Sequence, residues 1–261
     1  MMRAAALALV VLGGVAAVRQ GPAPLARMPV VVELFTSEGC SSCPPADDLL
    51  GELAKGQPIA GAEVVPLALH VDYWDRQGWK DPYSSADATR RQQVYGRVLN
   101  VADIYTPQMI VDGRTAFVGS DADQARRAIA EAARRPHAAI ELRVMRQGGE
   151  VTALATFSAV PPEASQDKPQ IVFAVIQGGL VSTVTRGENG GRTLHHEALV
   201  RHLWMQNAVK SGVATQSIAL DPTWGPDHLS IAAFLQGRRT RAIYGAAIAP
   251  LPKAQSPKPK A

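Results

Sequence analysis

Cysteine is scarce: the 261 residues contain two, Cys40 and Cys43. A disulfide-rich scaffold is thereby excluded, and any cysteine chemistry must come from this single pair. Aromatic residues are also few, at 5%, and no run of five or more basic residues occurs despite a net charge of +4. A nucleic-acid interface wants a clustered basic stripe, often with stacking aromatics. The doublets Arg126–Arg127, Arg134–Arg135 and Arg238–Arg239 are scattered and read as solvated faces, so no nucleic-acid partner is expected. The longest apolar run, residues 4–18, falls short of the ~20 residues a spanning helix needs. With Arg3 ahead of it, it reads as the core of an export signal over residues 1–20, or as an N-terminal anchor if uncleaved. The chain is therefore expected to be exported, periplasmic or secreted from a bacterium, touching a membrane only in the uncleaved case.

What is present divides into two textures. After a Pro- and Ala-rich spacer (21–27), residues 28–34 form an apolar, β-branched run interrupted by one acid, Glu33, which is the signal of a buried strand. Residues 46–54 read as a helix, 63–71 as a second buried strand, 85–98 as a polar helix, and 109–118 as a hairpin about Asp112-Gly113. An Ala/Arg helix closes this part at 122–134. A strand–helix–strand opening followed by a hairpin and a helix predicts an α/β domain over 28–135. From 136 to 250, short apolar or alternating runs separated by turn clusters predict an all-β, sandwich-like domain. One of those strands is expected to run from 193 to 204. Residues 251–261, rich in Pro, Lys and Ser, read as a disordered tail.

The chemistry concentrates at Cys40 and Cys43. Cysteines at i and i+3 behind a buried strand can close a disulfide within one turn of a helix start, where the helix dipole stabilises a thiolate. In that arrangement Cys40 attacks and Cys43 resolves. The prolines Pro44 and Pro45, easy only in a first helical turn, allow the helix to begin at Pro44 with Cys43 as its cap, and this leaves the order of attack open. Thr106–Pro107 precedes the strand at 109–111. A cis proline there would face the cysteines and expose its neighbour's backbone to an extended substrate segment; a trans proline starting the strand is the alternative. Glu33 has two readings: a desolvated acid that takes a proton from Cys43, or a strand acid paired with an arginine. His70, Tyr73, Trp74 and Trp79 follow a strand end and read either as an aromatic wall that selects partners or as a packed loop. The cluster at 187–191 reads as a hairpin turn or an exposed binding loop.

These residues resemble the thioredoxin-like superfamily and, more closely, an uncharacterised family of exported bacterial proteins. The matching stretches are residues 33–47 (ELFTSEGCSSCPPAD), 70–75 (HVDYWD), 78–82 (GWKDP), 105–109 (YTPQM) and, further on, 187–189 (GEN) with Gly191 and Arg192. The resemblance implies a thioredoxin-like N-terminal domain and superfamily roles at Cys40, Cys43 and Pro107. The function expected is a thiol–disulfide oxidoreductase without cofactor, acting on protein thiols and disulfides of exported proteins. Two alternatives stand beside it. One is a copper- or zinc-binding module that uses Cys40, Cys43 and His196. The other is an interaction protein whose disulfide merely pins a loop.

Overall fold

A computed structural model describes residues 27–207 and 212–253. The expected leader at 1–20, most of the spacer and most of the tail lie outside the described residues. The chain runs β1 (Met28–Thr36), α1 (Pro44–Gly56), β2 (Ala62–His70), α2 (Ala86–Val98), β3 (Gln108–Val111), β4 (Thr115–Val118) and α3 (Ala122–Ala132). It continues with β5 (Ala139–Gln147), β6 (Glu150–Ser158), α4 (Pro162–Gln166), β7 (Gln170–Gln177), β8 (Leu180–Thr183) and β9 (Thr193–His196). The last strands are β10 (Leu199–Asn207), β11 (Val213–Ala219), β12 (Leu229–Gln236) and β13 (Ile243–Pro250).

The expectation of a thioredoxin-like α/β domain joined to a separate all-β, sandwich-like domain does not hold. One mixed sheet of eight strands, in the order β13-β12-β7-β10-β2-β1-β3-β4, runs through both halves of the chain. Its seam lies where β10 pairs in parallel with β2 at Leu199 and Ala68, and the Ala68 N–H donates to the Ala198 carbonyl at 2.8 Å. The cause is visible in β7. Ile171, Phe173 and Val175 belong to one apolar core, while Val172, Ala174 and Ile176 belong to another. A strand buried on both faces must lie inside a sheet covered on both sides. The remaining strands divide accordingly: β11-β6-β5 form a three-stranded sheet, and Val151, Ala153 and Ala155 of β6 pack against one face of β7 and β12. The long strand expected over 193–204 is two strands. β9 pairs with β8 in a separate hairpin, and β10 enters the large sheet.

Alternation along β1 positions the site. Phe35 meets the Tyr95 ring of α2 edge-on, with centroids 6.1 Å apart, and Glu33 faces the same way. Leu34 points to the opposite face, toward Ala46 of α1 and Gly119, which precedes α3. Ser85 and Asp121 cap α2 and α3 by accepting the N–H groups of Ala88 and Gln124, which satisfies donors that a helix start leaves open. No helix among the described residues is long and apolar enough to cross a membrane.

Candidate functional site

The cysteine loop follows from the end of β1. Ser37, Glu38 and Gly39 turn the chain, and the Cys40 N–H donates to the Ser37 carbonyl at 3.2 Å. Helix α1 begins at Pro44 with Cys43 as N-cap, the start that the double proline allows. Cys40 and Cys43 are joined by a disulfide, with Cα atoms 5.4 Å apart. Both cysteines have 0% exposure, while Ser41 and Ser42 between them are exposed. The Ser42 hydroxyl lies 3.4 Å from the Cys40 sulfur.

Thr106–Pro107 arrives beside this loop through β3. Phe35 pairs with Gln108, so Pro107 continues the register alongside the end of β1. The Thr106–Pro107 bond is cis. The Pro107 carbonyl accepts the Gly119 N–H at 2.9 Å. The Thr106 main chain takes no part in the hydrogen bonds of the sheet or of the loops among the described residues.

Glu33 is not a free proton acceptor. Its carboxylate receives two bonds from the Arg91 guanidinium, at 2.6 and 2.8 Å, and a third from the Tyr95 hydroxyl at 2.7 Å. All three residues are buried, so the arginine-paired reading is the one the fold adopts. A different acid lies near the cystine. Asp47 is four residues past Cys43 and so shares its helix face. Burial pushes its pKa up to about 7, against the pull of the His70 charge and a hydrogen bond from the Thr36 hydroxyl.

The aromatic segment is held from within. Trp74 Nε1 donates to the Thr106 hydroxyl at 2.7 Å and Trp79 Nε1 to the Glu38 carboxylate at 2.8 Å. The Tyr73 hydroxyl donates to Gln92 at 3.2 Å. His70 Nδ1 meets Asp81 Oδ2 at 2.7 Å, and the Glu38 N–H donates to that same oxygen at 2.8 Å. Burial opposes charge on both His70 and Asp81, yet Asp81 holds the imidazole above its ordinary range and His70 holds the carboxyl below its own. Tyr73, Trp74 and Trp79 are half-buried and brace the loops on either side of the cystine.

The second half of the chain supplies the rest. Asn189, with 0% exposure, donates its amide to the carbonyls of Glu38 and Cys40 at 2.8 and 2.9 Å. The Ser41 N–H donates to the Glu188 carboxylate at 3.0 Å. His196 Nε2 bonds Glu38 at 2.8 Å. Burial pushes the Glu38 carboxyl up, but the hydrogen bonds from His196, Ser182 and Trp79 prevail and hold it below its usual range. Gly187 takes φ +76°, and a Cβ there would lie 3.0 Å from Trp79 Cβ; glycine lets this loop settle against the Trp79 segment. The metal alternative finds no support in this arrangement. Both sulfurs are in the disulfide, His196 serves Glu38, and among the described residues no group of three or more His, Cys, Asp or Glu is placed to hold a metal ion.

A family described as "Protein of unknown function (DUF1223)" matches residues 31–236. Among solved structures, a protein from Agrobacterium tumefaciens is similar at 26% identity and a TM-score of 0.66, over 89% of this chain and 99% of that one. HBP35 of Porphyromonas gingivalis is similar in fold at 14% identity and a TM-score of 0.61, over 90% and 80%. No curated protein matches.

Proposed function

We propose thiol–disulfide exchange at Cys40–Cys43 as the function of this chain, which belongs to the DUF1223 family of proteins of unknown function. The observation that carries the reading is the position of the disulfide. It lies at a strand-to-helix junction with Cys43 capping α1 and Thr106–Pro107 in register beside it. This is the chemistry that the resemblance to the thioredoxin-like superfamily implies. A partner thiolate attacks the Cys40 sulfur, a mixed disulfide forms, and Cys43 leaves as a thiolate favoured by the helix N-terminus. A second partner thiolate then attacks the partner's own sulfur in the mixed disulfide. The partner leaves as a disulfide, and its two electrons remain in the reduced cysteine pair. In this reading Asp47, one helical turn past Cys43, exchanges a proton with it. The unpaired Thr106 main chain offers an edge to an extended partner segment. Export to an oxidising compartment, with exported proteins as partners, agrees with the disulfide.

A second reading has its own support. Both cysteines have 0% exposure, as in a disulfide that only staples its loop. Redox titration of the pair with alkylation readout separates the two. Exchange predicts a potential above about −300 mV and a thiolate titrating below ~7.5. A potential well below that, with a slow thiol, leaves the staple.

A further inference from the structure

Away from the cystine, a cavity of about 360 Å³ opens between α2 and β10, with the end of β2 as part of its wall. Four guanidinium groups line it: Arg90, Arg91, Arg201 and Arg241. Arg90 pairs with Asp87 and Arg91 with Glu33. Arg201 and Arg241 form no ion pair among the described residues. Arg201 donates to Gln177 at 2.7 Å and lies over the rings of Tyr83 and Trp224, 5.2 and 5.8 Å from their centroids. Its planar group is thus fixed without being neutralised.

Three further observations converge on the same cavity. Only three buried side-chain nitrogens or oxygens lack a hydrogen-bond partner among the described residues, and two of them, His70 Nε2 and Arg241 Nε, belong to residues that line it. His70 is 2% exposed, and leaving such a group without a partner is costly. Arg241 also takes φ +62°, a left-handed conformation that a long side chain adopts only when its surroundings impose it. Such strain concentrates at ligand clamps. Leu69, Val94, Val200 and Leu203 give the rest of the wall an apolar stretch, which it shares with the polar Tyr83, Ser85, Asp87 and His202.

We infer that this cavity binds a small organic anion, with a carboxylate or phosphate head held by Arg201 and Arg241 and an apolar body lying against Val94, Val200 and Leu203. Guanidinium forks suit both heads, and the volume lies within the range of small-molecule sites. The site does not depend on thiol exchange.

Calorimetry on the full disulfide-bonded protein tests it with four probes: octanoate, octyl phosphate, octyltrimethylammonium and inorganic phosphate. At least one octyl anion should bind tenfold or more tightly than the octyl cation and than phosphate alone, and binding should weaken with added NaCl. The stronger of the two anions identifies the head. Arg241→Gly relieves the left-handed strain while removing the guanidinium. It should retain the melting temperature and lose at least tenfold in anion affinity, and Arg201→Gln should lose a similar factor. Equal binding of cation and anion by the wild type, which needs no variant to fold, overturns the proposal. So does unchanged anion affinity in folded Arg241→Gly and Arg201→Gln.

Discussion

The Asn189 amide donates to the Cys40 carbonyl at 2.9 Å across 149 residues of sequence, and the same nitrogen holds the Glu38 carbonyl at 2.8 Å. One buried side chain of the second half thus fixes the backbone on both sides of Gly39. Asn189→Ala takes that donor from both carbonyls; the Cys40 carbonyl still accepts the Cys43 N–H at 3.2 Å, so the cost of roughly 1–3 kcal/mol for a buried group left unsatisfied falls on the Glu38 carbonyl. We expect a lower melting temperature and faster reduction of the Cys40–Cys43 disulfide by dithiothreitol, measured by alkylation against time. An unchanged reduction rate in a folded variant would show that the loop keeps its shape without this contact.

Glu33 makes the opposite kind of prediction. Arg91 is buried beside it and would keep its charge with no carboxylate if Glu33 became Gln. Breaking a buried pair from one side typically costs about 3–5 kcal/mol. Glu33→Gln should therefore lower the denaturation midpoint in urea steeply. Because the pair lies on the α2 face of β1, the folded fraction should exchange thiols at the wild-type rate. A slower rate without loss of stability would return Glu33 to the redox chemistry.

Those two residues show what a single sequence carries and what it does not. The strand at 28–34, the helix starting at Pro44 and the hairpin about Asp112-Gly113 were legible because each has a local signal: apolar periodicity, proline position or turn chemistry. Glu33 stood out as a lone acid in an apolar run, but its partner Arg91 lies 58 positions away in a polar helix with no local signal that marks one arginine for burial. The 187–191 cluster is turn-like in composition and does turn; that Glu188 and Asn189 clamp the cysteine loop depends on docking. The division into two domains failed for a related reason. An apolar run such as β7 reads identically whether its two faces bury against one domain or join two cores, and only the pairing of β10 with β2 decides.

Gly119 tests the packing beneath the proline. A Cβ there would lie 2.7 Å from a Leu34 methyl, 3.1 Å from Pro107 Cβ and 3.2 Å from Ala46 Cβ. The Leu34 methyl can rotate aside, whereas the Pro107 ring and the α1 backbone cannot do so cheaply. Overpacking of this kind costs about 1–3 kcal/mol. Gly119→Ala should lower the melting temperature and change the rate of disulfide exchange, since the strain falls between Pro107 and the helix that Cys43 caps. A stable variant with wild-type exchange would mean that the gap absorbs a methyl group.

Asp47 gives a prediction whose sign depends on pH. Its carboxyl titrates at about 7 in the fold against an ordinary 3.8, so the folded protein holds this proton more tightly than the unfolded chain does. Stability from this group is therefore greatest below pH 3.8, declines as pH rises through the window up to about 7, and is flat above it. The full shift would correspond to about 4 kcal/mol. The carboxyl is half-buried, so water screens part of this, and roughly 1–2 kcal/mol is expected. Asp47→Asn removes the penalty and keeps an oxygen to accept from Thr36. Melting temperatures measured from pH 4 to 9 should nearly coincide at the acid end, separate progressively up to about pH 7 and differ by a constant amount above it, with the variant higher. If Asp47 also exchanges its proton with Cys43, the wild-type exchange rate should show a step near pH 7 that the variant lacks. A variant that melts below the wild type at pH 8.5 would mean that the charged carboxylate is solvated in the fold and takes no part in proton exchange.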